Sequence, residues 1–141
     1  MSNELADRLA IQDVMVKYAT AVDARDLDRQ ASCFRHDAVV TGFGTEPIVG
    51  RDAFQAYVAQ ALTRYGKTQH LLGNFEVTIT GDTAHLRTYV QATHSLATET
   101  GDLIVLWAIY DDQLVRTDDG WLITEHRLER LLLRKIEATA L

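Results

Sequence analysis

Apolar residues recur at helical spacing through the first part of the chain and at alternate positions through its second half. Between Leu5 and Val22, the residues Ile11, Val14, Met15, Tyr18, Ala21 and Val22 fall on one face of a helical wheel. Gln12, Asp13, Lys17 and Thr20 lie elsewhere on it, so the segment reads as an amphipathic helix. Asp26 is placed to cap a short second helix over 27–34, because its carboxylate can accept from the unpaired amides of the first turn. Ala-Val-Val-Thr after Asp37 predicts a short strand, and Gly42, Gly44, Pro47 and Gly50 mark an irregular loop. A third helix is expected over 52–65, where Ala53, Phe54, Tyr57, Val58, Ala61, Leu62 and Tyr65 share a stripe that stops at Gly66, a candidate cap.

From there the period changes to two. Segments 69–80, 83–98, 103–116 and 121–134 are rich in Thr, Val, Ile and aromatic residues and are separated by Gly-Asp, Thr-Gly-Asp and Asp-Asp-Gly, which predicts four long antiparallel strands. In the second of these, Ala84, Leu86, Val90, Ala92, His94 and Leu96 alternate with His85, Arg87, Gln91 and Ser95, which directs His94 inward. The pattern is that of one α+β domain over residues 1–141, helices first and a curled sheet after, each covering the apolar face of the other. The strand from Leu103 to Tyr110 is apolar on both faces, so its outer face is expected to pack on a second copy of the chain.

Composition narrows the function classes. A chain of 141 residues can bury about two-thirds of its unfolded surface, so it requires no staple, and its single cysteine, Cys33, cannot form an internal disulfide. The N-terminus has neither the basic nor the apolar region of a secretory signal, and no apolar run approaches the roughly 20 residues of a spanning helix. A soluble, cytoplasmic protein is expected. With 20 acidic against 14 basic residues the net charge is −6, which argues against nucleic acid and anionic membranes as partners. Arg127, Arg130, Arg134 and Lys135 interleave with Glu125, Glu129 and Glu137 and read as a solvated or oligomer-facing strand.

Several residues then point to a family. Tyr18 with Asp23 in the first helix, Phe34 and Asp37-Ala38 before the first strand, Gly50-Arg51 opening the third helix, and His70, Asn74 and Gly81-Asp82-Thr83-Ala84 beyond it resemble the SnoaL-like branch of the nuclear-transport-factor-2-like superfamily. The resemblance implies a cone-shaped, mostly antiparallel sheet and three helices enclosing a pocket. Members of that superfamily such as scytalone dehydratase and hexachlorocyclohexane dehydrochlorinase use an Asp from the first helix and a His from the strand after the third. Asp23 and His70 stand at those places, His94 matches a second histidine of scytalone dehydratase, and Tyr18 precedes Asp23 by five residues as a tyrosine does in bile-acid 7α-dehydratase. The carboxylates of ketosteroid isomerase have no clear counterpart here, nor does the dehydratase's Ser-x-Asn element on the strand from Leu103.

Elimination needs a base for the proton and an acid or electrophile for the leaving group. A neutral imidazole at His70 suits the first task, Asp23 would orient it, and Tyr18 or His94 would assist the leaving group. Asn74 can share the face of His70, and Phe54, Tyr57 and Trp107 are the candidate walls for a small, largely apolar cyclic substrate. Isomerisation or cyclisation through an enolate is the alternative within enzymes, and a non-catalytic binding or assembly domain the alternative outside them. On the plainer reading Tyr18 is core and Asp23 a turn carboxylate, since about 140° separates the two on an ideal helix, and His126 is structural. Neither a metal nor a cofactor is expected: no short His-x-x-x-His spacing occurs, Gly42-x-Gly44 lacks the setting of a dinucleotide loop, and the dehydratases it resembles do without metal.

Overall fold

A computed structural model of the chain describes residues 3–139. Helices α1 (Glu4–Ala24) and α2 (Leu27–Ala31) are followed by the shorter strands β1 (Phe34–Thr41) and β2 (Ile48–Val49), then by helix α3 (Arg51–Leu62) and four long strands. These are β3 (Tyr65–Thr80), β4 (Thr83–Leu96), β5 (Leu103–Thr117) and β6 (Gly120–Ile136). They form one curved sheet in the order β2-β1-β6-β5-β4-β3, antiparallel except where β1 runs parallel to β6. The expected α+β architecture is present, with the helices on the concave face. No described helix is long and apolar enough to cross a membrane.

Local chemistry explains the boundaries. Asn3 caps α1 by accepting from the amides of Leu5 and Ala6, and Ile11, Met15, Tyr18 and Val22 then bury one stripe against the sheet. The helix ends at Arg25, whose left-handed backbone (φ 61°) lets its N–H return to the carbonyls of Ala21 and Val22. Asp26 caps α2 as expected, accepting from Arg29 N at 3.1 Å. That helix stops three residues short of Phe34. The Cys33 carbonyl accepts from Ile123 N, and Phe34, fully buried, already pairs with β6. Likewise α3 ends at Leu62 rather than Tyr65, because both the amide and the hydroxyl of Thr63 turn back to the Gln60 carbonyl. Gly66 is therefore no helix cap; it lies in β3 beside Ser95.

The glycine that matters most is Gly42, at the end of β1. Its φ is +88°, and a Cβ there would lie 2.1 Å from the Leu128 carbonyl oxygen, so β1 can cross β6 this closely only without a side chain. The loop that follows carries Phe43 over the core, where the Tyr57 hydroxyl and an Arg130 guanidinium N–H both donate to its carbonyl. At the opposite end Asp7 ties α1 to the last hairpin. Arg116 grips both of its oxygens at 2.7 and 3.0 Å, the Trp121 indole donates at 3.3 Å, and the guanidinium lies over the Trp121 ring.

The Arg116 hydrogen bonds outweigh the opposing effect of burial and hold the Asp7 carboxyl below its ordinary value of 3.8. A folded-state pKa below the unfolded one gives stability that is present above about pH 4 and is lost as the pH falls through the folded value. Asp7→Asn should lower the thermal midpoint by a few degrees at pH 7, and the gap to the wild type should close as the pH falls through the folded-state value, measured by circular dichroism melts from neutral to acid pH. A gap that does not change with pH would show that packing, not charge, is what the substitution removes.

Candidate active site

The site begins at an unpaired sheet edge. β3 is bonded to β4 on one side only, which leaves backbone donors on its other side without a strand partner. Asp23, the penultimate residue of α1, meets that edge: Oδ2 accepts from His70 N at 2.8 Å, and Oδ1 accepts from the Thr68 hydroxyl at 2.9 Å. The same Oδ1 lies 2.7 Å from His70 Nδ1. A carboxylate can only accept, so Nδ1 carries a proton, and in the neutral form of the ring it is Nε2 that keeps the lone pair. Arg25 locks the corner, donating to the Thr68 hydroxyl at 2.8 Å and to the Gly66 carbonyl. Burial would raise the Asp23 pKa, but the hydrogen bonds from the ring and amide of His70 and from Thr68 prevail and hold it below the usual carboxylate value.

His70 lines a cavity of about 360 Å³ between the concave sheet and α1 and α3. Thr68 faces His94 across the β3–β4 ladder, so His70 and His94 are diagonal neighbours on the inner face, with ring centroids 5.6 Å apart and nearly perpendicular. His94 Nδ1 lies 3.2 Å from the Ile104 carbonyl, which fixes its proton there and frees Nε2 as well. Burial, then the neighbouring His70, push the His94 pKa down, so this ring is neutral at neutral pH. Tyr18 enters from α1 and is 3 % exposed; burial above all, then Tyr110 and Asp112, raise its pKa and keep its hydroxyl protonated. The cavity thus joins two imidazoles, that of His94 neutral, to buried phenols that can donate.

The 140° between Tyr18 and Asp23 is reconciled by the curl of the sheet rather than by a distorted helix. α1 is regular through Ala24. Tyr18 points toward β5 and β6, where it packs on Tyr110 and His126, while Asp23 faces the β3 edge and stands behind His70, outside the cavity lining.

Three of the expected substrate contacts do not line the cavity. Trp107 lies on the outer face of β5, beside Leu71, Tyr89 and Leu131, because Ile104, Leu106 and Tyr110 occupy the inner positions of that strand. Asn74 is exposed at a bulge between Gly73 and Glu76, where a positive φ of 48° breaks its alternation with His70. Phe54 is wholly buried behind the wall, stacked on Tyr18 and Tyr57, and of the predicted aromatic walls only Tyr57 reaches the space itself.

Sequence reasoning overlooked Phe43, Tyr110, Arg64 and Arg130, all of which line the cavity. Period-two counting from Leu106 finds Tyr110; Phe43 and the arginines carry no such signal. It also overlooked Asp112, whose Oδ1 accepts from His126 Nδ1 with both side chains fully buried. Asp111 and Asp112 are consecutive in a strand, so one of them must face inward and find a partner. That pair is separate from the cavity lining and makes His126 structural. Burial, only partly offset by His126, raises the Asp112 pKa. Cys33 is also structural; burial pushes its thiol up to about 11.

A curved sheet cupping a cavity, three helices closing it, and an Asp–His pair at its edge define a small α+β pocket protein. The chain belongs to the SnoaL-like family, whose domain model matches residues 3–127. Uncharacterized protein Rv2910c of Mycobacterium tuberculosis is 34% identical over 134 residues, covering 94% of this chain and 90% of that protein. A crystal structure from Novosphingobium aromaticivorans, provisionally named an aromatic ring hydroxylase, is 33% identical with a TM-score of 0.87 over 95% of this chain and 96% of its own. A type 2 hexachlorocyclohexane dehydrochlorinase has the same TM-score at 24% identity, over 98% and 94% of the two chains, a likeness of fold.

If Asp23 sets the tautomer of His70, the ring nitrogen shifts of the wild type should be those of an Nδ1–H imidazole, and Asp23→Ala should lose that bias while the His94 signals stay in place. Nitrogen-15 NMR of the histidine side chains reads both. An Nε2–H ring in the wild type would separate the two residues in solution.

Proposed function

We propose that this protein is a lyase that eliminates water or a similar group from a small, largely apolar cyclic molecule. The observation that carries the reading is the oriented imidazole: Asp23 takes Nδ1–H, and the second ring nitrogen is free on a histidine that lines an apolar cavity. In this reaction His70 Nε2 removes a proton from carbon, and Asp23 stabilises the imidazolium that results. The electrons left by that proton form the new double bond as the leaving group departs with its bonding pair. Tyr18, held protonated by burial, is the donor to that group or to a conjugated carbonyl, with Tyr110 beside it. His94 is held neutral, so its place is to contact substrate or to pass protons on rather than to act as the resting acid.

The dehydrochlorinase among the structural neighbours supports an elimination. The aromatic ring hydroxylase name supports a cyclic substrate and describes a different outcome, as isomerisation and cyclisation do. Product mass separates them, since only elimination lowers the mass of the ring product by that of the leaving group. Against a panel of small hydroxylated rings, His70→Ala and Asp23→Asn should each reduce kcat/KM by about 10²–10⁴-fold with the far-UV spectrum unchanged. Turnover unaffected by both substitutions would favour a binding domain.

The outer face of the sheet supports self-association. Leu71, Tyr89 and Leu131 are about half or more exposed there, beside Trp107 in a shallow groove. A patch of this kind is covered by a second copy of the chain in this reading. Sedimentation velocity at micromolar concentration should give a homo-oligomer, and Leu131→Glu should shift it toward monomer; a monomeric wild type would overturn it.

A further inference from the structure

The cavity has an electrostatic asymmetry that an apolar substrate alone would not use. Of the charged side chains that line it, Arg64 in the turn between α3 and β3 and Arg130 on β6 are cations, and no described Asp or Glu is among them. Both arginines are exposed, which places them at the mouth while the imidazoles and Tyr18 lie further in. Elsewhere in this acidic protein six guanidinium groups, those of Arg8, Arg35, Arg51, Arg87, Arg116 and Arg127, each pair with a carboxylate, whereas Arg25, Arg29 and Arg134, none of which lines the cavity, do not do so among the described residues. Among the described residues Arg64 and Arg130 form no such pair. Arg130 spends one N–H on the Phe43 carbonyl at 3.1 Å, and Arg64 lies 5.5 Å from the Tyr65 ring centroid with one N–H near the Ala61 carbonyl. Most of their donors remain free, on side chains steadied by cavity-lining residues.

A planar guanidinium with free parallel donors matches a carboxylate, and it does so better beside an apolar wall than in open water. We propose that the molecule this cavity takes is a ring bearing a carboxylate, the ring inside against Tyr18 and Leu106 and the carboxylate at the mouth between Arg64 and Arg130. This rests on the reading of the cavity as a substrate site and deepens it from an apolar ring to an amphiphilic one. The arrangement also fixes orientation, because a charge held at the mouth allows the ring only one end to present to His70 and His94.

Equilibrium binding tests this without reference to turnover. Benzoate, 1-naphthoate and 2-naphthoate are compared by calorimetry with their carboxamides, which keep the shape and lose the charge. At least one carboxylate should bind the wild type about tenfold or more tightly than its amide, the worth of a charged hydrogen-bonded contact, and the advantage should shrink as salt is raised. Arg64→Gln/Arg130→Gln should erase the preference and leave amide binding in place, and Arg64→Gln alone, which spares the Phe43 contact, should reduce it. Equal affinity for acid and amide, a preference that survives in the double variant, or no binding of any acid at millimolar concentration would overturn the proposal. Loss of turnover in His70→Ala is independent of all these results, so failure of the carboxylate preference and failure of the lyase reading are told apart.

Discussion

The Asp23 carboxylate joins the two halves of the molecule at the place where the fold is least complete. An open sheet has an edge, and an edge strand has backbone donors that its own sheet cannot satisfy. Here one of those donors belongs to His70, and the same carboxylate that accepts it also accepts the imidazole N–H and the Thr68 hydroxyl. One side chain of α1 thereby seals the β3 edge, sets the register of helix against strand, and fixes which ring nitrogen faces the cavity. Three hydrogen bonds to one carboxylate also explain why it stays ionised although partly buried.

Charge is managed differently at two of the Asp–His pairs, Asp23–His70 and Asp112–His126. At the cavity edge Asp23 retains partial contact with solvent and an abundance of donors. In the core, Asp112 and His126 are both fully buried, and Asp112 Oδ2 and His126 Nε2 find no hydrogen-bond partner among the described residues. A pair so enclosed, with Tyr18, Phe54 and Tyr110 around His126, is placed to hold the core together and not to exchange protons with a substrate. The same residue types thus carry different chemistry according to how many donors surround the carboxylate and whether the second imidazole nitrogen reaches an open space.

Much of this architecture is legible in the chain because two periodicities divide it: a 3.6-residue stripe through Ile11, Met15, Tyr18 and Val22, and alternation through β4 that directs His94 inward. Alternation failed as a guide on β5, where both faces are apolar, so nothing local decides whether Trp107 or Leu106 is the inner residue. It failed again at Asn74, because a bulge resets the parity of β3 between Gly73 and Glu76 without a glycine or proline at the turning residue itself. The pairing of Asp23 with His70 spans 47 residues and was reached through family likeness, not through any spacing rule. Phe43 was hidden for another reason: a loop residue acquires its position from Gly42's close approach to Leu128 and from donors on α3 and β6, none of which is local.

The one-sided bonding of β3 has a bearing on motion. Local opening in a folded protein begins where the fewest partners must be given up, and a terminal strand held by one ladder and a helix contact is such a place. Any excursion of β3 away from α1 that widens the cavity also draws His70 from Asp23 and releases its tautomer. With His70 as the proposed base, entry and readiness are therefore mechanically opposed, since an edge loosened to admit a molecule is one at which Asp23 no longer orients the ring. The carboxylate that seals the sheet is also the one that orients the histidine.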